Sequence, residues 1–260
     1  MRPFLAIART TMLEALREKV LYGLAVFGIA AVLLSIVLST ITLGHRVRIV
    51  TDLSLTGLLI SGTLLAVILG ANSVARDIDR RITLPVLAKP VSRTSYVLGR
   101  FLGIVHVVAL NFAFMATFAT LVVALNSPED GFPYGWGSYA VTLFLVFLRI
   151  VLVTGIAVTL SGFVSTTIAQ VAATGIAVAG HFTSELKFFL SKDQGPAGRA
   201  LAEVIYRTLP DLGALDSLYE LIHGQPIATQ YFLLSALYAI LYTGGALTIG
   251  CWALSNRELA

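Results

Sequence analysis

The polar residues best suited to chemistry in this apolar chain form one short run, residues 77–93. The run has mixed charges, then apolar side chains, then a second basic group: Asp77, Asp79, Arg80 and Arg81, then Leu84 and Leu87, then Lys89, Pro90 and Arg93. Proline at positions 85 and 90 prevents one long helix. Apolar side chains between charged flanks are suited to docking on another protein. The apolar groups would make the contact, and the charges would set its orientation. A basic loop that only sets membrane topology is the alternative.

Three further polar residues, Arg149, His106 and His181, stand inside long apolar stretches. A charge in the middle of a membrane span is costly and usually faces the bundle interior or water. The apolar spans supply no acidic partner for Arg149, which leaves backbone carbonyls, a second subunit or an anionic substrate. We expect His106 and His181 to hydrogen-bond between helices, and a place on a translocation path is the alternative for all three.

The common motifs of nucleotide-binding and metal-dependent enzymes are absent from the sequence. There is no G-x-x-x-x-G-K-[ST] phosphate loop, no H-E-x-x-H motif and only one cysteine, Cys251. The four histidines are too widely scattered to suggest a metal site. We therefore expect no catalytic residue, no metal and no cofactor in this chain.

The composition is that of a membrane protein. Of the 260 residues, 57% are hydrophobic and 12% are charged, and the mean hydropathy is +0.87. A bilayer core of about 30 Å requires about 20 helical residues. Long stretches with few or no charges predict an all-α fold with six transmembrane helices, at about 20–43, 53–75, 97–126, 138–160, 167–186 and 230–254.

Lys and Arg residues lie in short patches between the apolar runs. This distribution indicates charges that orient spans in a bilayer and not a surface that binds nucleic acid. With the N-terminus in the cytoplasm, eleven of them fall on the cytoplasmic side and six on the other. Both termini are therefore predicted to be cytoplasmic, and residues 1–260 are predicted to form one transmembrane domain.

Three polar segments accompany the predicted spans. Residues 1–19 carry apolar side chains at helical spacing, which predicts a helix at the cytoplasmic interface; a basic leader that sets topology is the alternative. Residues 76–96 form the cytoplasmic loop, in which Ser92 is placed to cap the helix that follows. Residues 187–229 form an extracytoplasmic segment with two apolar stripes around Pro210, which predicts two short amphipathic helices.

These segments, in this order, resemble the permease subunits of the type 2 ABC transporter family over nearly the whole chain. The most specific part is Leu87-Ala88-Lys89-Pro90-Val91-Ser92-Arg93 with Gly99 and Arg100, which is similar to the family's L-x-K-P-V-S-R … G-K/R stretch. Weaker matches are an acidic residue after span two, Gly180-His181 late in span five, and the Leu209-Pro210-Asp211 turn. The chain departs from the pattern at Pro85, where the family usually continues a helix.

The resemblance implies that residues 76–96 contain a coupling helix, seated in a groove of a separate ATP-binding cassette subunit. Leu84 and Leu87 would dock there, and charged residues would set the orientation through ion pairs: Asp77, Arg80, Arg81 and Arg93, with Asp79, Lys89 and Pro90 in the same surface. Two ATPase subunits would bind ATP and magnesium, beside a second copy of this chain or a similar permease. The expected location is the cytoplasmic (inner) membrane of a prokaryote, and the family's direction is export.

Two other classes of function stay open from the sequence. A membrane-embedded enzyme would need converging acid, base or metal groups, which the sequence does not supply. A membrane anchoring or assembly protein would use the same loop to hold a cytoplasmic partner without transport. No motif specifies a substrate, although Phe112, Phe114 and Phe118 favour an amphipathic or lipid-like cargo.

Overall fold

The computed structural model describes residues 3–41, 46–79, 92–127, 134–183 and 209–256. Within these ranges the regular structure is entirely helical, as the sequence predicts. The elements are α1 (Pro3–Leu16), α2 (Lys19–Ile41), α3 (Arg46–Asp79), α4 (Arg93–Leu125), α5 (Trp136–Ser161), α6 (Thr166–His181), a 3₁₀ turn (Gly213–Leu215), α7 (Leu218–Ile222) and α8 (Thr229–Asn256).

In the described part of the chain, five helices, namely α2, α3, α4, α5 and α8, are long and apolar enough to cross a membrane. The predicted turn near Ser161 to Thr167 is confirmed, because α5 ends at Ser161 and α6 begins at Thr166. Helix α6 has 16 residues, a length of about 24 Å against a hydrocarbon core of about 30 Å. The count of six spans therefore stays a prediction.

Contacts between helices fix their relative directions. Ser73 lies against Ser161 and Gly62 against Ile150, so α3 and α5 run in the same direction. Thr159 donates to the carbonyl of Ala246, and Gly155 lies against Thr243, so α8 runs the same way. Helices α2, α4 and α6 run in the opposite direction, as an up-and-down membrane bundle requires.

One end of the bundle holds both described ends of the chain. Helix α1 packs along the first half of α4, with Ala8 and Ala15 buried and Leu5 and Leu13 exposed. Met12 and Leu16, at helical spacing from these alanines, also pack against the core. The C-terminal end of α8 lies beside Arg93 at the start of α4.

The segment 209–222, which we name the inner segment, packs between helices and contacts Arg149 in the middle of α5. Leu212, Leu215 and Leu221 are fully buried. The predicted second amphipathic helix is represented here by the 3₁₀ turn and the five-residue α7. The first predicted helix falls largely on residues 184–208, outside the described ranges.

Small residues allow α1 to approach α4 closely. A Cβ atom at Gly103 would lie 2.6 Å from the carbonyl oxygen of Ala8 and 2.6 Å from Cβ of Thr11. A Cβ at Gly99 would lie 2.8 Å from Cβ of Ile7. Only glycine fits these positions without displacement of the α1 backbone.

We expect Gly103→Leu to separate α1 from α4 and to lower the free energy of unfolding by about 1–3 kcal/mol, the usual cost of overpacking. Thermal unfolding in detergent, followed by circular dichroism, measures the change. Gly23→Leu is the matched control, because no atom lies within 4 Å of the added Cβ. Equal melting temperatures for the two variants would contradict the close packing of α1.

Candidate functional site

Charged side chains gather where α1 meets the ends of α3 and α4. We name this group the basal cluster, and it contains Glu14, Glu18, Arg76, Asp77, Tyr96 and Arg100. The Asp77 carboxylate accepts hydrogen bonds from the guanidinium of Arg100 and from the hydroxyl of Tyr96. The same guanidinium donates to Glu14 at 2.7 Å, so one arginine joins three helices.

The ion pairs of the basal cluster differ in burial. The side chains of Asp77 and Arg100 are 11% and 12% exposed. Glu14 is largely exposed, and the pair of Arg76 with Glu18, at 2.5 Å, is half-exposed on both sides. Exposed pairs contribute up to about 1 kcal/mol, whereas loss of one partner from a buried pair costs several times more. The Asp77–Arg100 pair is therefore the structural centre of the cluster.

Asp77 and Arg100 flank the predicted docking loop. Asp77 lies in the last turn of α3, and Arg100 lies in the second turn of α4. The loop residues Arg80, Arg81, Leu84, Leu87, Lys89 and Pro90, and the side chain of Asp79, lie outside the described part of the structure. Their predicted docking role therefore stays a prediction.

Arg93, at the start of α4, contacts the C-terminal end of α8. Its Nη1 atom donates to the carbonyl oxygens of Leu254 at 2.5 Å and Ser255 at 2.8 Å. A cation at the last turn of a helix binds unpaired carbonyls and is favoured by the helix dipole. The prediction that Ser92 caps this helix is confirmed, since its side chain accepts a hydrogen bond from the backbone N–H of Ser95. The first turn of α4 is thus held by the Ser92 cap and by the contact of Arg93 with α8.

A second polar cluster lies inside the bundle. The side chain of Arg149 is 7% exposed, and its Nη2 atom donates to Nδ1 of His181 at 2.6 Å. Its Nη1 atom lies 3.5 Å from Oδ2 of Asp216, which belongs to the inner segment. We name these three residues the Arg149 cluster. It joins α5, α6 and the inner segment.

The sequence reasoning missed Asp216, because it searched the spans alone for an acidic partner. The inner segment brings this carboxylate to Arg149, and its backbone groups find partners on the way. The N–H of Leu212 donates to the carbonyl of Gly180 at 2.9 Å, and the N–H of Asp211 donates to the Tyr238 hydroxyl at 2.8 Å. Irregular backbone is tolerated at membrane depth only where it is buried and bonded in this way.

The two histidines have different surroundings. His181 bonds to Arg149 on a neighbouring helix, in agreement with the expectation of an interhelical contact. His106 is exposed, and its Nδ1 atom lies 2.8 Å from the carbonyl of Leu102 in its own helix. The structure therefore does not bring His106 to the Arg149 cluster. Among the residues that the structure describes, no three His, Cys, Asp or Glu side chains could hold a metal ion together.

A cavity of about 420 Å³ opens beside the Arg149 cluster. Helices α3 and α6 form its walls, and α5 and the inner segment close it. Most of its lining is apolar, with polar groups from Thr56, Thr63, Thr174 and the Arg149 cluster. Its volume falls within the range of small-molecule sites, about 300–1,000 Å³.

Asp77→Asn removes the buried partner of Arg100, and we expect it to lower the free energy of unfolding by about 3 kcal/mol. In this variant Arg100 keeps only the exposed Glu14 as an acidic partner, so adding Arg100→Gln removes a charge without a buried partner and restores part of the loss. Chemical unfolding in detergent measures both effects. Glu18→Gln is the control in the half-exposed pair and costs less than about 1 kcal/mol. Equal losses for Asp77→Asn and Glu18→Gln would contradict the assigned centre of the basal cluster.

Comparison with known proteins shows the family of the chain. A family model described as "ABC-2 family transporter protein" matches residues 47–187, more than half of the 260 residues. The matched range includes Asp77, Arg100, Arg149 and His181, together with the loop between α3 and α4. No curated protein matches the chain. The resemblance noted in the sequence is thereby confirmed, and the chain belongs to the ABC-2 family of transporter proteins as a membrane permease.

Proposed function

We propose that this permease moves a substrate across the cytoplasmic membrane with energy from ATP that a separate ATP-binding cassette subunit hydrolyses. Two ATPase subunits would act on two permease chains, either copies of this chain or this chain and a similar one. ATP and magnesium would be bound by the ATPase subunits. The single observation that carries the proposal is the buried link from Asp77 to Arg100, which braces both ends of the predicted docking loop.

The contacts around this link give the loop a mechanical connection to the bundle. Arg100 joins α3 and α4 to α1, and Arg76 joins α3 to Glu18 at the start of α2. Arg93 joins the start of α4 to the end of α8. A displacement of the loop would therefore move these helices together, as rigid elements that hydrogen bonds and ion pairs connect.

The predicted docking residues then divide into two groups. Leu84 and Leu87, with Asp79, Arg80, Arg81, Lys89 and Pro90, are the residues that we assign to contact with the ATPase subunit. Asp77 and Arg93 already bind groups within this chain. We assign them to positioning of the loop, since their charged groups contact α4 and α8.

The orientation that we propose for the chain is supported by the same end of the bundle. The start of α4, which directly follows the docking loop, lies beside α1 and the end of α8, so an ATPase on the loop would lie beside both described ends of the chain. The excess of Lys and Arg on this side supports a cytoplasmic location. The substrate path would then run between two permease chains, with the Arg149 cluster inside each chain.

The test is a complex of the purified permease with ATPase subunits encoded in the same source. We expect a stable complex that hydrolyses ATP, and Leu84→Asp and Leu87→Asp each to reduce complex formation at least about tenfold, because a charge replaces an apolar docking group. Pull-down and phosphate release measure the two effects.

Leu125→Asp is the matched control, since Leu125 is exposed at the opposite end of α4. It should bind the ATPase as the unchanged chain does. A complex that forms and hydrolyses ATP but moves nothing in vesicles would favour the anchoring function. Absence of any ATPase complex, or full binding by both loop variants, would contradict the proposed docking loop.

A further inference from the structure

The cavity beside the Arg149 cluster exposes two opposite charges to the same space. Arg149 and Asp216 both line it, and their side chains are 7% and 34% exposed. Their closest atoms, Nη1 and Oδ2, are 3.5 Å apart, which is longer than the usual 2.7–2.9 Å of a charge-assisted hydrogen bond. Each group therefore retains capacity for a closer, oppositely charged ligand group.

Neighbouring residues hold these two charges in place. His181 accepts a hydrogen bond from Nη2 of Arg149, which anchors one side of the guanidinium. The second carboxylate oxygen of Asp216 accepts from the backbone N–H of Leu218 at 3.1 Å. Asp52 on α3 lies within electrostatic range of Asp216 but does not line the cavity. The cavity thus has one cationic and one anionic side.

The rim of the cavity is apolar and exposed. Ile60 on α3, Val178 on α6 and Phe182 directly after α6 are all about half exposed, and each lines the cavity. Ile60 lies near the middle of α3, a helix long and apolar enough to cross a membrane, so we place the opening between α3 and α6 at the depth of the lipid chains. A ligand that enters here brings an apolar part with it.

We propose that this cavity binds a zwitterionic amphiphile of the phosphatidylethanolamine type, with its phosphate on Arg149 and its ammonium on Asp216. The proposal deepens the proposed function, because it names the substrate class of the permease. The phosphate accepts from the guanidinium, and the ammonium donates to the carboxylate. The acyl chains lie against the apolar rim.

Charge balance selects a zwitterion over an ion of either sign. The groups that line the cavity, Arg149, Asp216 and a neutral His181, sum to no net charge, so a purely anionic or cationic ligand would leave one of the two charges without a partner. A zwitterion leaves neither charge without a partner. It replaces the 3.5 Å contact between Arg149 and Asp216 by two shorter contacts with the ligand. Its chains also account for the apolar lining, which a water-soluble zwitterion would leave unused.

The test measures lipid binding by the purified full-length chain in detergent, without any ATPase. Native mass spectrometry gives dissociation constants for three lipids with identical acyl chains: phosphatidylethanolamine, anionic phosphatidylglycerol and a cationic trimethylammonium lipid. We expect the first to bind about tenfold more tightly than either of the others. Arg149→Gln and Asp216→Asn should each weaken its binding about tenfold, the usual effect of one lost charge-assisted hydrogen bond.

A second variant keeps the test valid if a change in Arg149 impairs folding. Thr174 lines the cavity and is exposed, so Thr174→Trp fills the cavity without removing a charge and should abolish lipid binding. Gly175→Trp is the matched control, since Gly175 is exposed, is absent from the lining, and has no atom within 4 Å of an added Cβ. It should bind lipid as the unchanged chain does.

Three results would overturn the proposal. Tighter binding of the anionic lipid with sensitivity to Arg149→Gln alone would indicate an anion site. Tighter binding of the cationic lipid with sensitivity to Asp216→Asn alone would indicate a cation site. Equal binding by Thr174→Trp and Gly175→Trp would place the lipid elsewhere. None of these results depends on the ATPase, so an ATPase complex that forms while lipid binding fails would leave the proposed function standing.

Discussion

A charge or a peptide group inside the bilayer has no water to bind, and the structure of this permease depends on that constraint. Arg149 lies in the middle of α5 and needs partners that the apolar spans do not contain. The inner segment supplies Asp216, but it also brings its own polar backbone to that depth. Hydroxyl groups of the neighbouring helices bind this backbone: Ser235 donates to the carbonyl of Ala214, and Tyr231 donates to that of Asp216. The serine and tyrosine side chains of α8 therefore make the inner segment possible.

The two buried arginines show two different uses of an ion pair. Arg100 has short contacts to Asp77 and Glu14 on two other helices, which suits a fixed junction. Arg149 has one short contact, to a neutral histidine, and a longer one to a carboxylate that is one third exposed. Removal of water strengthens both interactions, yet only the second leaves room for an exchange of partners. The geometry thus suits the Arg100 pair to a fixed junction between helices and the Arg149 pair to an exchange of partners.

Sequence periodicity and hydropathy predicted where the helices lie in the chain, but they did not predict which side chains contact each other. The helices α2, α3, α4, α5 and α8 lie close to the predicted spans, because each contains a long run with few or no charges. The cap at Ser92 was also predictable, since such a cap acts within a few residues. Asp216 pairs with a residue far away in the sequence, and hydropathy does not specify such pairs. Asp77 was expected to face a partner protein, and only the packing of α3 on α4 reveals that its carboxylate binds Arg100.

The short α6 follows from the same constraint. A helix end within the bundle exposes carbonyl groups that would normally reach water or a polar headgroup. Here the inner segment meets them: the N–H of Leu212 binds the carbonyl of Gly180, and an added Cβ at Gly180 would lie 2.7 Å from the carbonyl of Pro210. A glycine near the end of α6 is therefore required for the inner segment to reach Arg149. Helix α6 can end at His181 because a polypeptide segment, and not lipid, satisfies its last turn.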